Sequence, residues 1–197
     1  MSFEDFLIDT VAIWRKTDEL FSGAIAASLT LTHQPPDESV LFLTVSNLVG
    51  SGTLTVTGVV AGAADTEAFA FAADGFKQGS KEFTSVTSIT NSGITSGTLV
   101  VKAITPGGTQ LSIEYLVASG VKVRIVEKRS AVVVIIAGAT IRSDLKMYCL
   151  AATDVLEKDI VIKNSTRYIV MQVIEQPDSQ EIHHKTARLT TEAVSAS

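Results

Sequence analysis

The chain has 197 residues, of which 46% are apolar and 19% charged, with a formal net charge of −5 at pH 7. A soluble domain ordinarily carries about 25% charged residues, so the deficit points to surface covered by a partner, most simply by copies of the chain itself. The longest apolar run, Ala131 to Ala139, is less than half of the roughly 20 residues a membrane helix needs, and the acidic opening MSFEDFLIDT lacks the basic start of a secretory signal. Cys149 is the only cysteine, which excludes a disulfide framework and a thiolate zinc cluster. The expectation is synthesis in a cytoplasm without export, and no membrane partner.

Taken in order, the chain opens on a short helix: Ser2 is a candidate N-cap, Glu4 and Asp5 suit the first turn, and Phe3, Phe6 and Leu7 share a face. Thr10 to Arg15 reads as a strand with Val11 and Ile13 on one face and Ala12 and Trp14 on the other. From Ser22 to Gly120 the texture changes to Gly, Thr, Ser, Ala and Val, with seven acids and three bases. Strands are predicted at Val40–Val45, Thr53–Val60, Glu67–Phe71, Phe83–Ile89, Thr98–Ile104 and Gln110–Tyr115, with turns at Gly50, Ala73, Asn91 and Pro106. Short β-branched strands at such spacing predict an antiparallel, immunoglobulin-like β-sandwich.

Beyond Val121 the pattern is more charged, with eleven bases and eight acids over residues 121–189. Val121, Val123 and Ile125 alternate with Lys122, Arg124 and Val126; the run AVVVIIAGA then reads as a buried barrel strand, its alternative being an apolar segment covered only in an oligomer, and KMYCL reads as another strand. Asn164-Ser165 separates two alternating segments and predicts a tight hairpin, and Ile182 to Leu189 forms the last strand. Trp14, Tyr148 and Tyr168 are expected in the core. Five or six strands in so short a segment suit a small SH3-like barrel, while the tail TTEAVSAS has too little apolar content to order itself. Residues 1–21 resemble 121–190 in texture more than either resembles the middle. The predicted fold class is therefore all-β: a small barrel built from both chain ends (1–21 and 121–190), an inserted sandwich (22–120) and a flexible tail (191–197).

Motifs for chemistry are missing. The sequence contains no glycine-rich phosphate loop, no G-x-S-x-G, no H-E-x-x-H and no C-x-x-C. Cys149 with His183 or His184 as base would be a hydrolase nucleophile, but a strand cysteine among apolar neighbours is expected as a small core residue. His183 and His184 adjoin in a strand, so they point to opposite faces and do not suit one metal ion. No catalytic residue, metal ligand or cofactor is assigned. Lys128 and Arg129 form a charged turn, whose alternative reading is a basic tip against DNA phosphates; Arg142 belongs to the same candidate loop.

The two ends together resemble the head-closure, or stopper, family of head–tail joining proteins in long-tailed bacteriophages. MSFEDFLIDTVAIWRKTD is similar to the family's opening. VKVRIVEK followed by KMYCLAATDVLEKDIVIKNSTRYIVMQVIEQPDSQEIHHKTARL is similar to its barrel, with Asp159, Ile160, Tyr168, Val170, His183 and His184 at the matching positions. The insert departs from the family, and FTSVTSITNSGITSGTLVV resembles immunoglobulin-like modules of phage structural proteins. The resemblance implies a virion structural protein of the neck and not an enzyme: a homo-oligomeric ring, sixfold or twelvefold, that closes the DNA-filled head. The partners it implies are a portal or adaptor protein, a tail terminator or tail tube protein, and packaged DNA in non-specific contact. A barrel loop would narrow the axial channel, and the segment from Lys128 to Ser143 is the candidate. The alternative reading is a tail terminator, tail tube or capsid decoration protein, and a remoter one is a Cys- or metal-dependent hydrolase.

Overall fold

A computed structural model describes residues 3–36, 38–127, 133–136, 139–142, 145–177 and 182–191. The protein is all-β apart from one helical turn, α1 (Phe3–Phe6). The strands are β1 (Asp9–Thr17), β2 (Glu19–Ala24), β3 (Ser28–Leu29), β4 (Ser39–Val49), β5 (Gly52–Val60), β6 (Ala63–Phe71), β7 (Gly75–Ser92) and β8 (Ser96–Ile104). They continue as β9 (Ile113–Glu127), β10 (Val133–Ile136), β11 (Ala139–Arg142), β12 (Leu145–Leu150), β13 (Ile160–Lys163), β14 (Thr166–Pro177) and β15 (Ile182–Thr191). Two compact units result: Met1–Lys16 with Glu114–Ser197, and Thr17–Ile113.

Both boundaries lie earlier in the chain than composition placed them. Strand β2, absent from the sequence-based set, pairs with β8 of the sandwich, with Phe21 opposite Val101. Beside it, Asp18 accepts hydrogen bonds from Lys102 Nζ at 2.7 Å and from Gln110. At the far end, Glu114 to Gly120 has the mild texture of the insert, yet Val117 already packs against the barrel core.

The first unit is a closed barrel in the order β1-β13-β14-β15-β12-β9. Strand alternation sends Val11 and Ile13, Val123, Met147 and Cys149, Val161, and Ala187 and Leu189 into one core, all at most 2% exposed. Trp14 and Tyr148 occupy the intervening positions and are half-buried, as is Tyr168 at the edge of that core, so the expectation that all three are core residues is corrected. The β13–β14 hairpin turns through Asn164 (φ 48°) and Ser165 (φ 65°), both left-handed, which is the I′ geometry that follows the twist of the flanking strands.

The closing strand, β1, is fastened at both ends. Asp9 accepts the Ile125 backbone N–H of β9 (2.9 Å) and Lys163 Nζ of β13 (2.7 Å), bridging both of its neighbours. Burial alone raises the Asp9 carboxyl pKa, but these two donors more than offset it and hold the group below the usual carboxylate range. At the other end the Arg15 guanidinium grips Asp159 with two bonds of 2.8 and 2.9 Å, and reaches Asp154 at 3.0 Å. The Asp159 side chain, 1% exposed, also accepts the Leu156 N–H at 2.8 Å. Its hydrogen bond raises the Arg15 pKa, so the guanidinium stays charged throughout.

Among its described residues, the run AVVVIIAGA supplies no barrel strand. Val133–Ile136 pairs with Ala139–Arg142 in a separate two-stranded ladder, with Val133 opposite Arg142 and Ile136 opposite Ala139. The closed order leaves no place for it, because β9 and β12 pair directly, with Ile125 opposite Met147.

In the second unit the two layers of the sandwich are one hydrogen-bonded sheet in the order β2-β8-β4-β7-β5-β6, with β3 on β7. The long β7 makes the fold: its first half, Gly75 to Phe83, runs along β4, and its second half, Phe83 to Ser92, runs along β5. Phe83, fully buried, sits at the switch. Leu41, Leu43, Val45, Leu99 and Val101 from one layer meet Leu54, Val56, Phe69, Phe71 and Ile89 from the other. At Gly58 a Cβ would stand 2.2 Å from the Ser85 carbonyl oxygen, so only glycine allows β5 to shift register against β7 there. Gln110–Tyr115 was predicted as a strand, but Gln110 makes a lone bridge to Ile104 and β9 begins at Ile113.

Two outcomes test this account. Ser165→Gly, which removes a side chain from a left-handed position, is expected to raise barrel stability by about 0.5–1 kcal/mol in denaturant unfolding; a loss would show that the I′ turn is wrong. Asp159→Ala leaves Arg15 without its main partner and the Leu156 N–H without its acceptor, and is expected to cost about 3 kcal/mol. A cost under about 1 kcal/mol would mean that the pair does not hold β1.

Candidate functional site

Of the residues singled out for DNA contact, Lys128 and Arg129 lie outside the described residues. Arg142 ends β11 opposite Val133, and its side chain also lies outside them. Cys149 is fully buried in the barrel core, its Sγ 3.8 Å from the Lys185 carbonyl oxygen, and burial raises its thiol pKa. His183 and His184 hold successive positions in β15; the His183 side chain lies outside the described residues, whereas His184 is half-buried and reaches the Tyr148 ring at 6.2 Å between centroids. Among the described residues no cluster of His, Cys, Asp or Glu has the make-up of a metal site.

The barrel brings together a different set. The outward positions of β12, β14 and β15 line a groove of about 260 Å³ formed by Lys146, Tyr148, Ile174, Gln176, His184, Thr186 and Arg188. Register explains the assembly. Lys146 stands directly opposite Arg188, Tyr148 opposite Thr186, and Gln176 opposite His184. On the other side of β12, Arg124 of β9 stands opposite Tyr148. The helical turn α1 covers this corner: the Phe6 ring meets Tyr148 edge-on at 5.8 Å, and the Arg124 guanidinium lies 4.7 Å from the Phe6 centroid.

The electrostatics are one-sided. Among the described residues no carboxylate lines the groove. Elsewhere in the barrel unit, Arg15, Lys16, Lys163, Arg167 and Lys185 each have an Asp or Glu within ion-pair distance. Lys146 and Arg188 have none among the described residues, although they face each other across adjacent strands, where like charges oppose pairing. With the Tyr148 and Thr186 hydroxyls, the Gln176 amide and the His184 imidazole beside them, these cations form a surface chemically suited to an anion.

Other concavities have different chemistry. A shallow groove of about 590 Å³ near Val155 and Gln172 carries, among the described residues, Glu157 and Glu175 against one cation, Lys185. In the sandwich unit a groove of about 310 Å³ lies beside Phe42, whose ring stacks at 5.2 Å on Phe76, 67% exposed.

No protein-family model, curated protein or solved structure matches the chain. Among the described residues no helix is long and apolar enough to cross a membrane. The groove therefore rests on its own geometry. Sequence reading placed Tyr148 and His184 on strands but passed over Lys146 and Arg188; their alternation in KMYCL and HHKTARL was the available signal, and only pairing set them opposite each other.

Burial of Cys149 makes a testable statement about its chemistry. Maleimide labelling of the native protein is expected to run at least tenfold slower than that of a small exposed thiol, and to accelerate only under unfolding conditions. Labelling faster than the small thiol would revive the nucleophile reading.

Proposed function

We propose that the chain is a ring-forming structural subunit of a bacteriophage neck, of the head-closure type, which helps to retain packaged DNA and offers a surface to the tail. The observation that carries this reading is the β10–β11 ladder, set between two barrel strands that pair directly with each other. The barrel does not need that hairpin to close, so it is available to narrow an axial channel and to move without unfolding the barrel. Low charge and high apolar content support a subunit whose flanks are shared with neighbouring copies. A barrel formed from both chain ends supports it too, because a domain inserted between them leaves the ring-forming part intact. The mechanism is mechanical: the barrel supplies the ring, and the hairpin obstructs the channel until tail attachment displaces it.

Mixing the purified protein with portal–adaptor complexes and following mass by photometry and cryo-EM is the direct test. The expected result is a ring seated on the neck, with the hairpin towards the axis. Deletion of residues 133–142 should leave ring association within about twofold while DNA leaks from filled heads. Binding along capsid or tail tube, with none at the neck, would replace this reading by a decoration or tail protein.

A further inference from the structure

We propose that the outward face of β9, β12 and β15 is a binding surface for the sugar-phosphate backbone of duplex DNA, centred on Lys146 and Arg188 with Arg124 and Lys122 extending it. Lys122 and Arg124 share one face of β9 by strand alternation, Lys146 lies on β12 and Arg188 on β15, so four basic residues cross three neighbouring strands. At about 4.8 Å per strand the array is roughly 10 Å across, a line of charge and not an enclosed pocket. A single phosphate would engage one or two of these cations; a polymer with a charge every few ångströms engages the line.

One further observation favours this occupant. Lys146 and Arg188 are held opposite each other with no carboxylate in ion-pair distance among the described residues, whereas Arg15, Lys163 and Arg167 of the same unit each have one. That like-charge opposition opposes strand pairing, and an external polyanion relieves it. The protein also carries a net charge of −5, so overall charge gives it no general affinity for DNA and the contact must be local. The donors beside the cations are hydroxyl, amide and imidazole groups on a sheet face too broad to enter a groove of the duplex, which predicts backbone contact without sequence preference. The inference rests on the neck reading only in choosing duplex DNA as the polyanion. This contact on the barrel wall is separate from the candidate loop at Lys128, Arg129 and Arg142.

The test uses the full chain and a fluorescent 30-base-pair duplex, with binding followed by anisotropy between about 50 and 200 mM salt. Lys146→Gln with Arg188→Gln is compared with Lys77→Gln with Lys158→Gln, which removes the same charge from exposed positions outside the groove. The groove variant is expected to bind at least tenfold more weakly at 50 mM salt and to lower the log–log salt slope by about 2; the control should stay within twofold of wild type. Its melting temperature should not fall, because the exchange removes a like-charge pair, so unfolding cannot imitate the loss. The assignment is overturned if wild type does not bind the duplex, if both variants behave alike, or if only anionic phosphatidylserine vesicles are bound. Association with portal–adaptor complexes, scored separately, distinguishes the two readings. DNA binding through the groove without neck association removes the neck reading and leaves this one; neck association without DNA binding does the reverse.

Discussion

Everything in the first unit depends on β1 finding its place. A strand near the start of the chain must pair between β9 and β13, and the sandwich sequence separates it from both. Loop-closure entropy for so long an excursion rises only logarithmically, so the difficulty lies in register and not in distance. Asp9 and Arg15 address register with charge. One carboxylate takes donors from both flanking strands, and one guanidinium clamps the buried Asp159 before β13. A slip of β1 by one residue would turn Val11 and Ile13 outward and break both anchors together.

The same constraint shapes the rest of the barrel. β9 and β12 pair directly, and β10 and β11, which lie between them in sequence, pair with each other. A stretch that reads as a wall strand, Val133–Ile136, thus lies in a ladder of its own.

The sandwich meets a different problem with a different device. Its layers are not separate sheets but one sheet turned at Phe83, where β7 leaves β4 and takes up β5. A bend of that kind crowds backbones, and Gly58 marks the place where a neighbour comes too close for any side chain. Neither unit concentrates nucleophiles or metal ligands among its described residues; the chemical asymmetry of the barrel lies in charge, on the face where Lys146 meets Arg188.

Alternation and turn chemistry are local, because period-two hydrophobicity and left-handed φ act over a few residues. The amino-acid sequence by itself therefore determined the all-β class, the inward set around Val11, Val123 and Cys149, and the tight turn at Asn164-Ser165. Even the joining of both chain ends into one barrel was legible, as a change of texture that located the boundaries only approximately. Pairing was not legible. Whether AVVVIIAGA joins the wall or leaves it depends on which strands already occupy the closed order, and β2 joins the sandwich through hydrogen bonds to a partner remote in sequence. The cationic groove belongs to the same class: Lys146 and Arg188 are ordinary residues in their own strands and become a site only when register sets one against the other. Side-chain periodicity is written along the chain, but cross-strand neighbours are chosen by the whole fold, and that choice belonged to the tertiary structure.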